Sequence, residues 1–126
     1  MKSIVVPIII LIIIIVLIVS NSILLNITTK SLSDKINDAV KYTQADDYVK
    51  SKEAIEEYFE QYEKAEAYFS VVIRHAELDS IRVMSERVKE FNTSETKADF
   101  LAESAALIDM IKHLYTAESI NLKNIM

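Results

Sequence analysis

Hydrophobic and polar positions along the chain fall into two regimes that meet near residue 25. From Ile4 to Val19, 16 consecutive residues lack a polar side chain, and after Ser20, Asn21 and Ser22 the apolar run resumes with Ile23, Leu24 and Leu25. Residues 4–25 together would form a helix of roughly 33 Å, long enough to cross the hydrocarbon of a bilayer. Pro7 is expected in its first turn, where the missing N–H has no intrahelical partner. The sequence therefore predicts a lipid-embedded span over residues 4–25. A cleaved secretory signal is the competing reading, with Ser20 and Ser22 as the small residues before the cut, but signals carry a shorter apolar stretch of about 7–15 residues.

Beyond residue 25 the pattern becomes amphipathic. Leu32, Ile36, Ala39 and Val40 share one side of a helix over Ser31–Tyr42, and no residue between Leu25 and Leu32 breaks it, so the span is expected to run straight into this segment. Gln44-Ala45-Asp46-Asp47 reads as a turn, with Asp46 or Asp47 capping the next helix. In that second helix Tyr48, Ile55, Tyr62, Phe69 and Ala76 recur every seventh residue, with Phe59, Ala65, Val72 and Ile73 between them. A break is expected near Arg74-His75-Ala76-Glu77, although no Gly or Pro marks it and the helix could instead run unbroken to Phe91; a third helix then carries Leu78, Ile81, Ser85, Val88 and Phe91 on one face. Asn92–Thr96 interrupts the pattern, with Asn92 and Glu95 or Thr96 and Asp99 as capping-box pairs. The last helix is placed over Glu95–Tyr115, with Leu101, Ala105, Ile108, Ile111 and Tyr115 inward and Phe100, Leu107 and Leu114 widening the stripe. Ile120, Leu122 and Ile125 in the tail are expected to pack back on the bundle. The fold class is all-α, with an N-terminal transmembrane helix (residues 1–25) followed by an acidic, antiparallel three- or four-helix bundle (residues 26–126).

Composition narrows the chemistry. The 126 residues include no Gly and no Cys. Phosphate-cradling loops, dinucleotide fingerprints, thiolate zinc sites and cysteine nucleophiles are thereby excluded. A formal charge of −5 argues against a nucleic-acid partner. No HExxH or GxSxG motif is present, and adjacent acids such as Glu56 and Glu57 point in different directions on a helix, so an enzyme is not expected and no cofactor is assigned. His75 and Asp79, four apart, with His113 are the candidate metal or pH-sensing residues; an i,i+4 pair or an interhelical hydrogen bond that fixes helix registry is the favoured reading. Tyr48, Tyr58, Tyr62 and Tyr68 lie on the second helix and are either a core stripe or an aromatic face for a partner helix. Charge counting alone does not set the orientation, with Lys2 and the α-amine on one side of the apolar run and Lys30, Lys35 and Lys41 on the other, but a short basic tail before a long apolar run is the layout of a signal anchor, with the N-terminus cytoplasmic and residues 26–126 outside.

The chain resembles a known family in MKSIVVPIII, in the helix opening at Ala45-Asp46-Asp47-Tyr48, in Ile73-Arg74-His75-Ala76-Glu77-Leu78-Asp79, in Ile111-Lys112-His113 and in the ending Leu122-Lys123-Asn124-Ile125-Met126. These are similar, in order and over nearly the whole chain, to the small bacterial single-span proteins catalogued as domain of unknown function 4363. The resemblance implies a membrane-anchored helical protein of Gram-positive bacteria and supplies no catalytic residues. Two functional readings follow: an accessory subunit of a membrane complex, held by the lipid bilayer through residues 4–25 and contacting a membrane protein partner or a second copy, and an extracytoplasmic sensor or ligand-binding domain that needs a separate partner to receive its signal.

Overall fold

The computed structural model describes the backbone of residues 2–125 and the side chains of residues 3–114 and of Thr116. The described residues form four helices: α1 (Lys2–Gln44), α2 (Tyr48–Val72), α3 (His75–Glu90) and α4 (Lys97–Ile125). The expected continuity is present, since α1 runs unbroken for 43 residues, about 65 Å at the α-helical rise. It begins at Lys2, so Pro7 lies in the second turn rather than the first and leaves the carbonyl of Ser3 without its usual donor. From Ile4 to Val19 every residue but Ile18 is exposed.

The other half of α1 is the spine of a bundle. Leu25, Thr29, Leu32, Ile36, Ala39 and Thr43 are all buried and alternate in steps of four and three. The same alternation recurs in α3 at Leu78, Ile81, Ser85 and Val88 and in α4 at Phe100, Ser104, Leu107, Ile111 and Leu114. That 3.5-residue spacing keeps one seam of each helix turned to its neighbours. Cross-contacts set the directions: Ser31 meets Gln61, Lys35 meets Glu57 and Thr43 meets Ser51, so α2 descends as α1 rises. The pair Lys97–Asp46 places the start of α4 beside the top of α1. Leu25, assigned to the span by its apolar neighbours, is a core residue of the bundle.

In a chain without glycine, the α1–α2 link is made by two aspartates with separate duties. Asp46 adopts φ 59° at the position where a left-handed residue ends a helix, and the amides of Asp46 and Asp47 donate to the carbonyls of Thr43 and Tyr42. Asp47 caps α2 by accepting from the amide of Lys50 at 3.2 Å. The α2–α3 corner is two extended residues, Ile73 and Arg74, where the β-branched run Val71-Val72-Ile73 disfavours continued helix. This places the break at the head of the expected segment and puts Ala76 on α3, exposed, outside the heptad of α2.

Two expectations are corrected in α4. The inward face is rotated: Phe100, Leu107 and Leu114 are fully buried, Leu101 and Ile108 flank them half-buried, and Ala105 is exposed. Ser104, buried on that seam, breaks the apolar stripe in the sequence and hides its true line. The helix also begins at Lys97, two residues later than Glu95, and neither capping-box pairing appears among the hydrogen bonds of the described residues. The Thr96 hydroxyl donates instead to the carbonyl of Phe91 at 2.7 Å. The side chain of Tyr115 and the packing of Ile120, Leu122 and Ile125 lie outside the described residues.

Candidate functional site

The aromatic side chains of α2 are the first candidates. Tyr58 and Tyr62 are 1% and 4% exposed, so the docking-face reading is corrected for both: they belong to the core. Their rings, with Phe59, Phe69 and Tyr68, form a ladder of tilted and edge-on contacts 5.4–6.2 Å between centroids, geometries that complement aromatic quadrupoles. The Tyr58 hydroxyl lies 2.6 Å from Ser85 Oγ, joining α2 to α3. Burial pushes the Tyr58 phenol well above its usual range, the Ser85 hydrogen bond pulling only partly back. Burial also raises Tyr62, with Arg82 opposing. Tyr48 and Tyr68 are half-buried. Tyr48 donates to Asp46 Oδ1 at 3.3 Å at the top of the bundle.

Tyr68 occupies the most consequential position of the four. Its hydroxyl lies 2.6 Å from Asn21 Oδ1 and 3.1 Å from the Asn21 carbonyl oxygen, which ties the lower end of α2 to α1 just past the last residue of the uninterrupted apolar run. An apolar groove of about 420 Å³ runs up from this contact between α1 and α2, lined by Leu24, Ile27, Ser31, Gln61, Lys64 and Tyr68. A second groove, about 400 Å³ between α2 and α3, holds Phe59 with Lys52, Glu56, Glu60 and Lys89, the Lys89 ammonium standing 5.2 Å from the Phe59 ring centroid.

The histidine candidates are at the surface. His75 Nε2 and Asp79 Oδ2 are 3.9 Å apart at the start of α3, with the His75 side chain 85% exposed, a weak i,i+4 pair. His113 lines a shallow pocket with Met84, Asp109 and Met110 on α4 and α3. Among the described residues no group of three His, Asp or Glu side chains is placed to hold a metal ion, and His75, Asp79 and His113 do not form such a set.

Sequence reasoning passed over the polar residues that organise the bundle. Ser51 is fully buried, its Oγ 2.7 Å from Thr43 Oγ1 and 3.1 Å from both the Ala39 carbonyl oxygen and Asn92 Oδ1. It joins α1, α2 and the α3–α4 link at one point. The available signal was position: Thr29, Thr43, Ser51 and Ser104 fall in heptad seams where apolar residues are the rule, as does Ser85, the one of the five expected on its helix's packed face. Asn21 was counted with the span, though an amide inside a lipid-facing helix is costly and marks a functional contact.

No curated protein and no solved structure matches the chain. Residues 18–125 match the family described as Domain of unknown function (DUF4363), a stretch that opens at Ile18, the first covered residue of the apolar run, and continues through the bundle; the chain belongs to that family.

Proposed function

We propose that this protein is a single-span membrane subunit whose helical bundle stands on the outer surface of a bacterial membrane and serves as a structural or interaction partner in a membrane complex, without catalytic activity of its own. The observation that supports this reading is the division of α1: one unbroken helix is apolar and exposed over Ser3–Val19 except at Ser3 and Ile18, and forms the bundle spine from Leu25 onward. Such a helix calls for lipid or another protein around its lower half, because fourteen exposed large aliphatic side chains between Ile4 and Val19 far exceed a normal surface patch. Lys2 immediately ahead of a long apolar run has the layout of a signal anchor, which supports a cytoplasmic N-terminus.

The test is protease protection in sealed vesicles of both orientations, joined to cross-linking in native membranes and mass measurement of the intact chain. The reading expects residues 1–25 retained, digestion of the bundle from the outer face only, and a stoichiometric neighbour or second copy in the cross-linked band. A bundle digested from the cytoplasmic face, or a chain shortened at Ser20–Ser22 and free of the membrane, overturns it. The continuity of α1 through Ser20–Thr29 also supports a second reading, in which a ligand on the bundle alters its packing and the rigid helix carries the change into the membrane. An unchanged melting curve across candidate ligands removes that version.

A further inference from the structure

The base of the bundle is level with the end of the apolar run, and the α2–α3 corner stands there. Because α2 descends as α1 rises, each residue down α2 lies opposite one nearer the N-terminus of α1: Glu57 at Lys35, Gln61 at Ser31, and Tyr68 beside Leu24, its hydroxyl reaching down to Asn21. Val71 is three residues past Tyr68, about 4.5 Å lower, which brings it to the level of Asn21, at the foot of the bundle.

Lipid thickness turns this into a contact. The 16 residues Ile4–Val19 measure about 24 Å, whereas the hydrocarbon core is about 30 Å thick. Making up the difference carries the boundary some four residues further, to Ile23, and so to the level of Tyr68 and below it the corner. There the corner presents Val71, 83% exposed and the most exposed large hydrophobic side chain described, followed by exposed Arg74. Ile23 of α1, and Leu24 and Ile27 in the groove beside Tyr68, are exposed near the same level. A half-buried tyrosine at the boundary, an aliphatic tip below it and an arginine beside it are the side chains an interface accommodates: ring at the headgroups, apolar tip in the acyl boundary, guanidinium on phosphate.

We propose that the α2–α3 corner is a second membrane contact, in which Val71 inserts into the outer leaflet and Arg74 meets lipid phosphate, so that the bundle is held against the bilayer at two points and cannot swing about α1. This rests on the span reading above. The chain contains no Trp, so single-tryptophan versions of the full-length protein report depth directly. Val71→Trp, Val49→Trp and Ile12→Trp are reconstituted separately in vesicles of phosphatidylcholine and phosphatidylglycerol, with and without lipids brominated at shallow or deep acyl positions. Val49 is 71% exposed at the upper end of α2 and serves as the water-facing reference. The expected result is a blue-shifted Val71→Trp emission quenched most by shallow bromines, an unshifted and unquenched Val49→Trp, and an Ile12→Trp quenched most by deep bromines. Ile12→Trp quenched while Val71→Trp emits as in water overturns the corner contact and leaves the span intact. A Val71→Trp emission that is blue-shifted but unquenched overturns it too, because protein rather than lipid then covers the corner. An unquenched Ile12→Trp overturns the span and the contact together.

Discussion

The lower and upper halves of α1 share one continuous backbone, yet they solve different problems. Between Ser3 and Val19 isoleucine, leucine and valine cover the helix all round, and between Leu25 and Thr43 they keep to a seam with Lys30, Asp34, Asp38 and Lys41 on the outer side. A uniformly apolar helix has no preferred face and is stabilised by its solvent, whereas a striped one is stabilised by its neighbours. No hinge separates the two, and what changes at residues 20–25 is the distribution of apolar side chains, from all round the helix to a single seam.

Matched substitutions on the two halves give the largest effect that can break this comparison. Ile36 is completely buried against the other helices, and Ile36→Ala is expected to destabilise the bundle by about 2–5 kcal/mol. Ile12→Ala, on the exposed half, is expected to leave the bundle's unfolding midpoint unchanged. Denaturant unfolding in mild detergent, followed by helical signal, checks both. An equal loss from Ile12→Ala would mean that the lower half packs on protein and that the comparison is wrong.

The same contrast explains what could be read from residue order alone. The long apolar helix, the Asp46–Asp47 turn and the seam of α3 were legible because each is written in residue type at close range, whereas the corner near Arg74 has no Gly or Pro to mark it and an unbroken helix to Phe91 fitted the pattern too. The seam of α4 was not, since Ser104 sits among Phe100, Leu107 and Ile111 and a buried serine looks like a surface one until its neighbours are known. The fate of Tyr58 and Tyr62 was equally open, because an aromatic stripe has one pattern whether it meets its own bundle or a partner. The base contact, Tyr68 on Asn21, joins residues 47 apart in sequence and carries no local signal.

Buried polar contacts sharpen the comparison next. Ser51→Ala removes the link between Thr43, the Ala39 carbonyl and Asn92, with an expected loss of about 1–3 kcal/mol from the groups left unpartnered. Ser20→Ala, on the exposed side of the lower half, is expected to change nothing in the same unfolding measurement.

Alkaline pH separates the halves without mutation. Residues 3–29 contain no ionisable side chain, so lipid insertion should be indifferent to pH. The bundle is different, because burial raises Tyr58 above the ordinary phenol value of 10. A raised folded-state value means that the stabilisation is complete below pH 10 and is lost as pH rises from there through the folded-state value, by about 1.4 kcal/mol per pH unit for each phenol held protonated. Melting curves between pH 8 and 11.5 should therefore fall steeply only above about 10. Tyr58→Phe should start lower, having left Ser85 alone, and then fall less steeply. Parallel curves would assign the alkaline loss to other groups.

The smallest effect is expected at the top of α1, where the upper half stops. Asp46 is exposed, holds φ 59° and accepts from Lys97 Nζ at 2.9 Å, and that hydrogen bond and charge keep its carboxyl below the usual range. Asp46→Asn retains a side chain that tolerates the left-handed conformation and discards the charge, so the change isolates the ion pair from the turn. Because a depressed carboxylate stabilises above its unfolded value and loses that contribution as pH falls, wild type and variant should differ slightly at neutral pH and converge in acid. They should also converge in about 1 M salt, where the screening length drops to roughly 3 Å. A difference that survives both conditions would place the role of Asp46 in the backbone turn that ends α1, so that the helix is stopped by conformation alone and the Lys97 contact merely decorates it.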